Sequence, residues 1–115
     1  MNLEFSSARD VLLVRVKGEM DMATAEQMRQ SIDNRLQQDK TQYLLLDLSG
    51  VSFIDSSGIG VILGRYRYFN RIGGKMAIVK PQVTVRRVLE TAGIPKLIPV
   101  AENEGEGLKQ LTNFR

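Results

Sequence analysis

The segment Asp55-Ser56-Ser57-Gly58-Ile59-Gly60 sets two hydroxyls beside a carboxylate, with glycines close behind. An apolar run over residues 44–48 precedes it and reads as a strand. Apolar residues then recur at helical spacing from Ile59 to about Ile72. The segment therefore lies where a strand gives way to a helix. Helix starts carry unpaired N–H groups and a partial positive charge, so an anion is favoured there. With a helix beginning near Ser57, Ser56 is the expected N-cap, its oxygen accepting an N–H from residue 58 or 59. Such a cap is worth about 1 kcal/mol. Three features exceed what a cap requires. Ser57 supplies a second hydroxyl. Gly58 and Gly60 fall in the first helical turn, each costing nearly 1 kcal/mol relative to alanine, which implies a close approach to the backbone. Asp55 adds a fixed negative charge, to which a phosphorylated serine would add about −1.5 to −2. From these residues alone, capping and anion handling stand equally open.

Other chemistries are constrained by what the chain lacks. With no cysteine and no histidine, there is no thiolate nucleophile, imidazole base, or thiolate or imidazole metal site. No metal site and no cofactor are expected. A serine hydrolase would have to recruit Lys75 or Lys80 as its base. Gly58, Gly60 and Gly64 approach a dinucleotide fingerprint, but the third glycine comes one residue late. Asp47 and Asp55 pair in sequence only, and Asp47 reads as a strand-end residue.

The elements that must hold the segment follow from patterning along a chain of 115 residues, 43% hydrophobic and 25% charged. These values suit one globular domain spanning residues 1–115. Residues 3–6 and 11–17 read as strands joined by a polar turn over residues 7–10. Leu12, Val14 and Val16 share one face of the second strand, and Gly18 ends the pattern. Asp21 is the expected N-cap of a helix over residues 22–38, with Ala25, Met28, Ile32 and Leu36 inward. The uninterrupted run at 43–48 implies a parallel strand buried on both faces, and residues 76–79 repeat that character. Between them, Ile59, Ile62, Leu63, Tyr66 and Phe69 mark a helix closed by Gly73-Gly74. Val85, Val88, Leu89 and Ala92 mark a further helix, residues 97–100 a weak edge strand, and residues 102–111 a terminal helix. The expected fold is α/β, one mixed and largely parallel sheet of about four to five strands with about four helices.

Charge divides unevenly. Residues 1–57 carry six Lys/Arg against nine Asp/Glu, and residues 58–115 carry ten against four. No nucleic-acid motif accompanies the basic half, so Arg65, Arg67, Arg71, Lys75, Lys80, Arg86, Arg87 and Lys96 read as solvated outer faces of two helices. No stretch is long and apolar enough to span a membrane, and the N-terminus lacks a secretory pattern. A cytoplasmic protein is expected, without direct nucleic-acid or membrane contact.

Gly18-Glu19-Met20-Asp21, the passage from Leu48 through Asp55-Ser56-Ser57-Gly58-Ile59-Gly60, and Gly73-Gly74 together resemble the STAS domain of bacterial anti-sigma-factor antagonists. The resemblance spans nearly the whole chain, and Val61-Ile62-Leu63-Gly64-Arg65-Tyr66 is similar to the sporulation branch. It implies a non-enzymatic regulator that, unphosphorylated, binds an anti-sigma factor which is also a serine kinase, with its ATP or ADP. It implies phosphorylation at Ser56, the serine directly after the motif aspartate, with Ser57 as the alternative acceptor. A metal-dependent serine phosphatase would reverse the step. Asp21, Asp55, Ser57, Gly58, Ile59 and Gly60 would meet the partner. A different reading of the same loop is a sensor that binds GTP or ATP directly.

Overall fold

The computed structural model describes residues 1–112; the last three residues of the expected domain lie outside the described residues. Five strands form one sheet in the order β1-β2-β3-β4-β5: Asn2–Ala8, Val11–Met20, Tyr43–Ile54, Lys75–Val79 and Val100–Ala101. β1 and β2 pair antiparallel, and the remaining neighbours pair parallel. Helices α1 (Met22–Asp39), α2 (Ser56–Arg71) and α3 (Val83–Thr91) make the crossovers, and α4 (Glu104–Thr112) ends the described chain. A 3-10 turn, Ile94–Lys96, links α3 to β5. This is the expected α/β architecture.

One strand explains the layering. In β3, Leu44, Leu46 and Leu48 turn to the face covered by α1, α2 and α3, while Leu45 turns to the face covered by α4. All four are buried, as an apolar run without alternation requires. Met28, Ile32 and Leu36 of α1 and Ile59, Ile62 and Phe69 of α2 fill the first face. Burying each large aliphatic or aromatic side chain contributes roughly 1.5–3 kcal/mol. Ala25 is only partly buried, and Ala92 lies exposed beyond α3 rather than on its inward face.

Two boundaries differ from expectation, and the difference builds the site. β2 does not stop at Gly18 but continues to Met20, and β3 runs well past Leu48 to Ile54. Gly18 adopts φ +108°, a conformation that glycine tolerates. The β2–β3 register shifts between Gly18 and Glu19, so the strand bulges and carries on. Pairing then resumes with Glu19 opposite Phe53 and Met20 opposite Ile54. Elsewhere the turn between β1 and β2 is tighter than four residues, using Arg9 and Asp10 alone. The edge strand β5 is only two residues long and falls just after Pro99.

Candidate functional site

Because Met20 and Ile54 are paired, the next residue of each strand, Asp21 and Asp55, emerges at the same sheet end. The Asp55 N–H donates to the Met20 carbonyl at 3.1 Å, locking the two exits together. Each aspartate then caps a helix from extended backbone. Asp21 heads α1 in a reciprocal box: its Oδ1 accepts from the Thr24 N–H at 3.1 Å, and Thr24 Oγ1 accepts from the Asp21 N–H at 3.1 Å.

At α2 the structure corrects the expected cap. The helix begins at Ser56, and Asp55, not Ser56, is the N-cap. Asp55 Oδ1 accepts from the Ser57 N–H at 2.8 Å and from the Gly58 N–H at 3.3 Å. A carboxylate here accepts these bonds and also brings a full negative charge to the positive end of the helix. Ser56 is displaced to the first helical position. Its side chain is exposed, and its hydroxyl makes no hydrogen bond among the described residues. Ser57 is half-buried. The aspartate signal was present in the sequence, since Asp and Ser are equally good caps; only the length of β3 decides between them.

The glycines separate into two kinds. A Cβ on Gly58 would lie 2.5 Å from the Met20 carbonyl oxygen and 2.8 Å from Ile54 Cγ1. The close approach inferred at Gly58 is therefore made by the protein itself, as α2 packs onto the end of β2. Gly60 has nothing within 4 Å of such a Cβ and faces outward. Ile59 is largely buried, with Ser56, Arg87, Val88, Thr91 and Ala92 as its neighbours around a groove of about 370 Å³ between α2 and α3. Met22 at the start of α1, Phe53 near the end of β3 and Val83 at the start of α3 remain 80%, 48% and 65% exposed. This end of the sheet thus offers an exposed, unbonded hydroxyl, two carboxylates and an apolar rim. Sequence reasoning missed the rim and the groove, because an apolar residue in a strand or helix pattern gives no sign of being left uncovered.

Three further expectations need revision. Asp47 is not at a strand end: it sits inside β3, 1% exposed, on the α4 face. Its Oδ2 lies 3.5 Å from both Arg15 Nε and Lys80 Nζ, and its Oδ1 accepts from the Ser49 N–H at 2.8 Å. Glu104 of α4 joins the group through Arg15 Nη2 at 2.6 Å, and that hydrogen bond raises the Arg15 pKa. Lys80 is accordingly engaged with Asp47, not placed as a base for Ser56. Arg65 is not solvated either. It is buried between α1 and α2, 3.0 Å from Asp33, and burial lowers its pKa despite that carboxylate. In the sequence Asp47 reads as a strand end and Arg65 and Lys80 as solvated, because the pattern along one element gives no sign of the opposite charge that another element brings. Among the described residues no cluster of acidic side chains is arranged to hold a metal, and no helix is long and apolar enough to cross a membrane.

The fold and this sheet end define a class. The chain belongs to the STAS-domain family, whose model matches residues 2–107. Within it, the chain is 38% identical over 111 residues to the anti-sigma F factor antagonist of Paenibacillus polymyxa, covering 96% of this chain and 95% of that protein. Its fold matches the solved structure of the anti-sigma factor antagonist SpoIIAA in its unphosphorylated form, with a TM-score of 0.82, 26% identity and 99% of each chain covered. The Bacillus SpoIIAA in the phosphorylated form matches with a TM-score of 0.73 at 26% identity, covering 95% of this chain and 98% of that one.

Proposed function

We propose that this protein is an anti-sigma-factor antagonist switched by phosphorylation of Ser56, acting in the cytoplasm of a sporulating bacterium and catalysing nothing itself. The observation that carries the reading is the Ser56 hydroxyl: exposed, unbonded among the described residues, and released from capping by Asp55. A hydroxyl so placed is open to a kinase without local unfolding. The unphosphorylated sheet end, with Asp21, Asp55, Ser57, Gly58, Ile59 and Gly60, docks an anti-sigma factor that is itself a serine kinase, and the sigma factor is freed.

Phosphorylation ends the complex. The kinase transfers the γ-phosphoryl group of ATP to Ser56 Oγ, ADP leaves, and the hydroxyl proton is lost. The product carries about two negative charges where a packed interface had a neutral hydroxyl, and burying an unpaired charge costs several kcal/mol. A metal-dependent serine phosphatase hydrolyses the ester and restores the binding form. Support comes from the names of the relatives and from a relative solved in both phosphorylation states.

The test is incubation with the cognate anti-sigma kinase and ATP, followed by mass spectrometry of the wild type, Ser56→Ala and Ser57→Ala. Phosphate on the wild type and on Ser57→Ala, but not on Ser56→Ala, is expected. Phosphate that persists on Ser56→Ala overturns the acceptor assignment. Tight GTP or ATP binding by the protein alone would instead favour a nucleotide sensor.

A further inference from the structure

A phosphate on Ser56 meets a helix start already in use. The Ser57 and Gly58 N–H groups, which would otherwise favour an anion, are bound to the Asp55 carboxylate. Asp55 also places a negative charge next to the modified residue, and Asp21 stands at the neighbouring helix start. The helix end that normally welcomes a phosphate is therefore occupied by a competing anion. Compensation has to come from another element.

Across the groove, α3 presents one cation. Arg87 and Ser56 line the same space, together with Ile59, Val88, Thr91 and Ala92. The rest of that lining is apolar except for Thr91, so Arg87 is its single charge. Its neighbour Arg86 turns away to Glu102 at 3.5 Å, whereas Arg87 is exposed and makes no ion pair or hydrogen bond among the described residues. A guanidinium free of carboxylates, on a flexible stem and facing a serine hydroxyl, matches a phosphate's oxygens in geometry and charge.

We infer that Arg87 is the intramolecular counter-charge for phosphorylated Ser56, drawing the phosphate across the α2–α3 groove. The inference rests on Ser56 being the modified residue, as proposed above. Its consequence is that modification does two things at this surface. It adds charge beside Asp55, and it bridges α2 to α3 over the apolar groove, so that the wall formed by Ile59, Val88 and Ala92 is closed to a partner. Ser57 is outside that lining, so a phosphate there would be beyond this arrangement.

The experiment uses the full chain with phosphoserine installed at position 56 during translation, which makes it independent of any kinase. Phosphorus NMR follows the second ionisation of the phosphate with pH in the otherwise wild-type protein, in Arg87→Gln and in Arg87→Lys. Arg87 should hold that ionisation about half a unit or more below its position in Arg87→Gln, with Arg87→Lys between them. The gap should shrink at about 1 M salt, where exposed charges are strongly screened. Phosphoserine installed at position 57 should titrate alike with Arg87 in place and in Arg87→Gln. Identical titration of the position-56 phosphate in all three proteins overturns the clamp. A kinase that ignores Ser56 would instead overturn the proposed function, leaving the titration to judge the clamp separately.

Discussion

Asp47 and Asp55 belong to the same run of chain, one within β3 and the other directly after it, yet they carry opposite kinds of work. Asp47 lies on the closed α4 face, 1% exposed, between Arg15 and Lys80, and it helps seat α4 through their shared contacts with Glu104. Asp55 lies at the open end of the sheet, half-buried, with its charge directed at two backbone N–H groups. Asp47 satisfies two cations as well as the Ser49 N–H, and its own carboxylate is closed off from solvent. Asp55 satisfies backbone and so frees the hydroxyl next to it. A carboxylate that neutralises cations consolidates a region, whereas one that caps a helix can make its neighbour available.

The largest effect should come from disturbing the contact that holds the open end together. Gly58→Val forces a side chain against the Met20 carbonyl and Ile54, and should cost about 3 kcal/mol or more in denaturant unfolding. A variant of wild-type stability would show that α2 does not press on β2 as described. Asp47→Ala should cost about 2 kcal/mol, because it removes the Ser49 hydrogen bond and leaves two cations without their buried partner. The phosphorylation proposed at Ser56 should persist in this variant, separating the closed face from the open end. Loss of modification in a folded Asp47→Ala protein would erase that separation.

Asp55→Ala should cost about 1 kcal/mol, the usual value of an N-cap. Double substitution with Ser56→Ala should add almost nothing; a further loss would mean that Ser56 takes over as the cap. Ser56→Ala alone should change stability by less than about 0.5 kcal/mol, since its exposed hydroxyl makes no bond among the described residues, while ending modification. The smallest effect concerns shape. Far-ultraviolet circular dichroism of the phosphorylated and unphosphorylated forms should superimpose, and a backbone rearrangement over residues 55–70 would contradict the proposed switch by charge at an interface.

Much of the fold was legible because the core patterns are strong. Met28, Ile32 and Leu36 repeat at helical spacing, and residues 44–48 are too uniformly apolar for a strand with a wet face. Gly73, at φ +74°, leaves α2 as a C-cap glycine does. The errors cluster where pairing partners overrode local signals. Gly18 looked like a terminator, but β3 supplied hydrogen-bonding partners beyond it, so β2 bulged and continued. The expected strand ended at Leu48, but residues 49–54 stay in β3, with Gly50 and Val51 paired to β2. That extra length moved the start of α2, and with it the cap, by one residue.

The sequence by itself determined the α/β order, the inward faces of the helices, and a carboxylate beside two hydroxyls at a strand-to-helix junction. It did so because periodicity and capping are local, readable within a few residues of chain. Only the tertiary structure decided that Asp55 caps, that Ser56 is free, that Asp47 and Arg65 are buried with partners, and that Arg87 faces Ser56 across a groove. Each of these depends on which residue of a distant element stands opposite, and that is set by strand register and helix packing across the whole sheet.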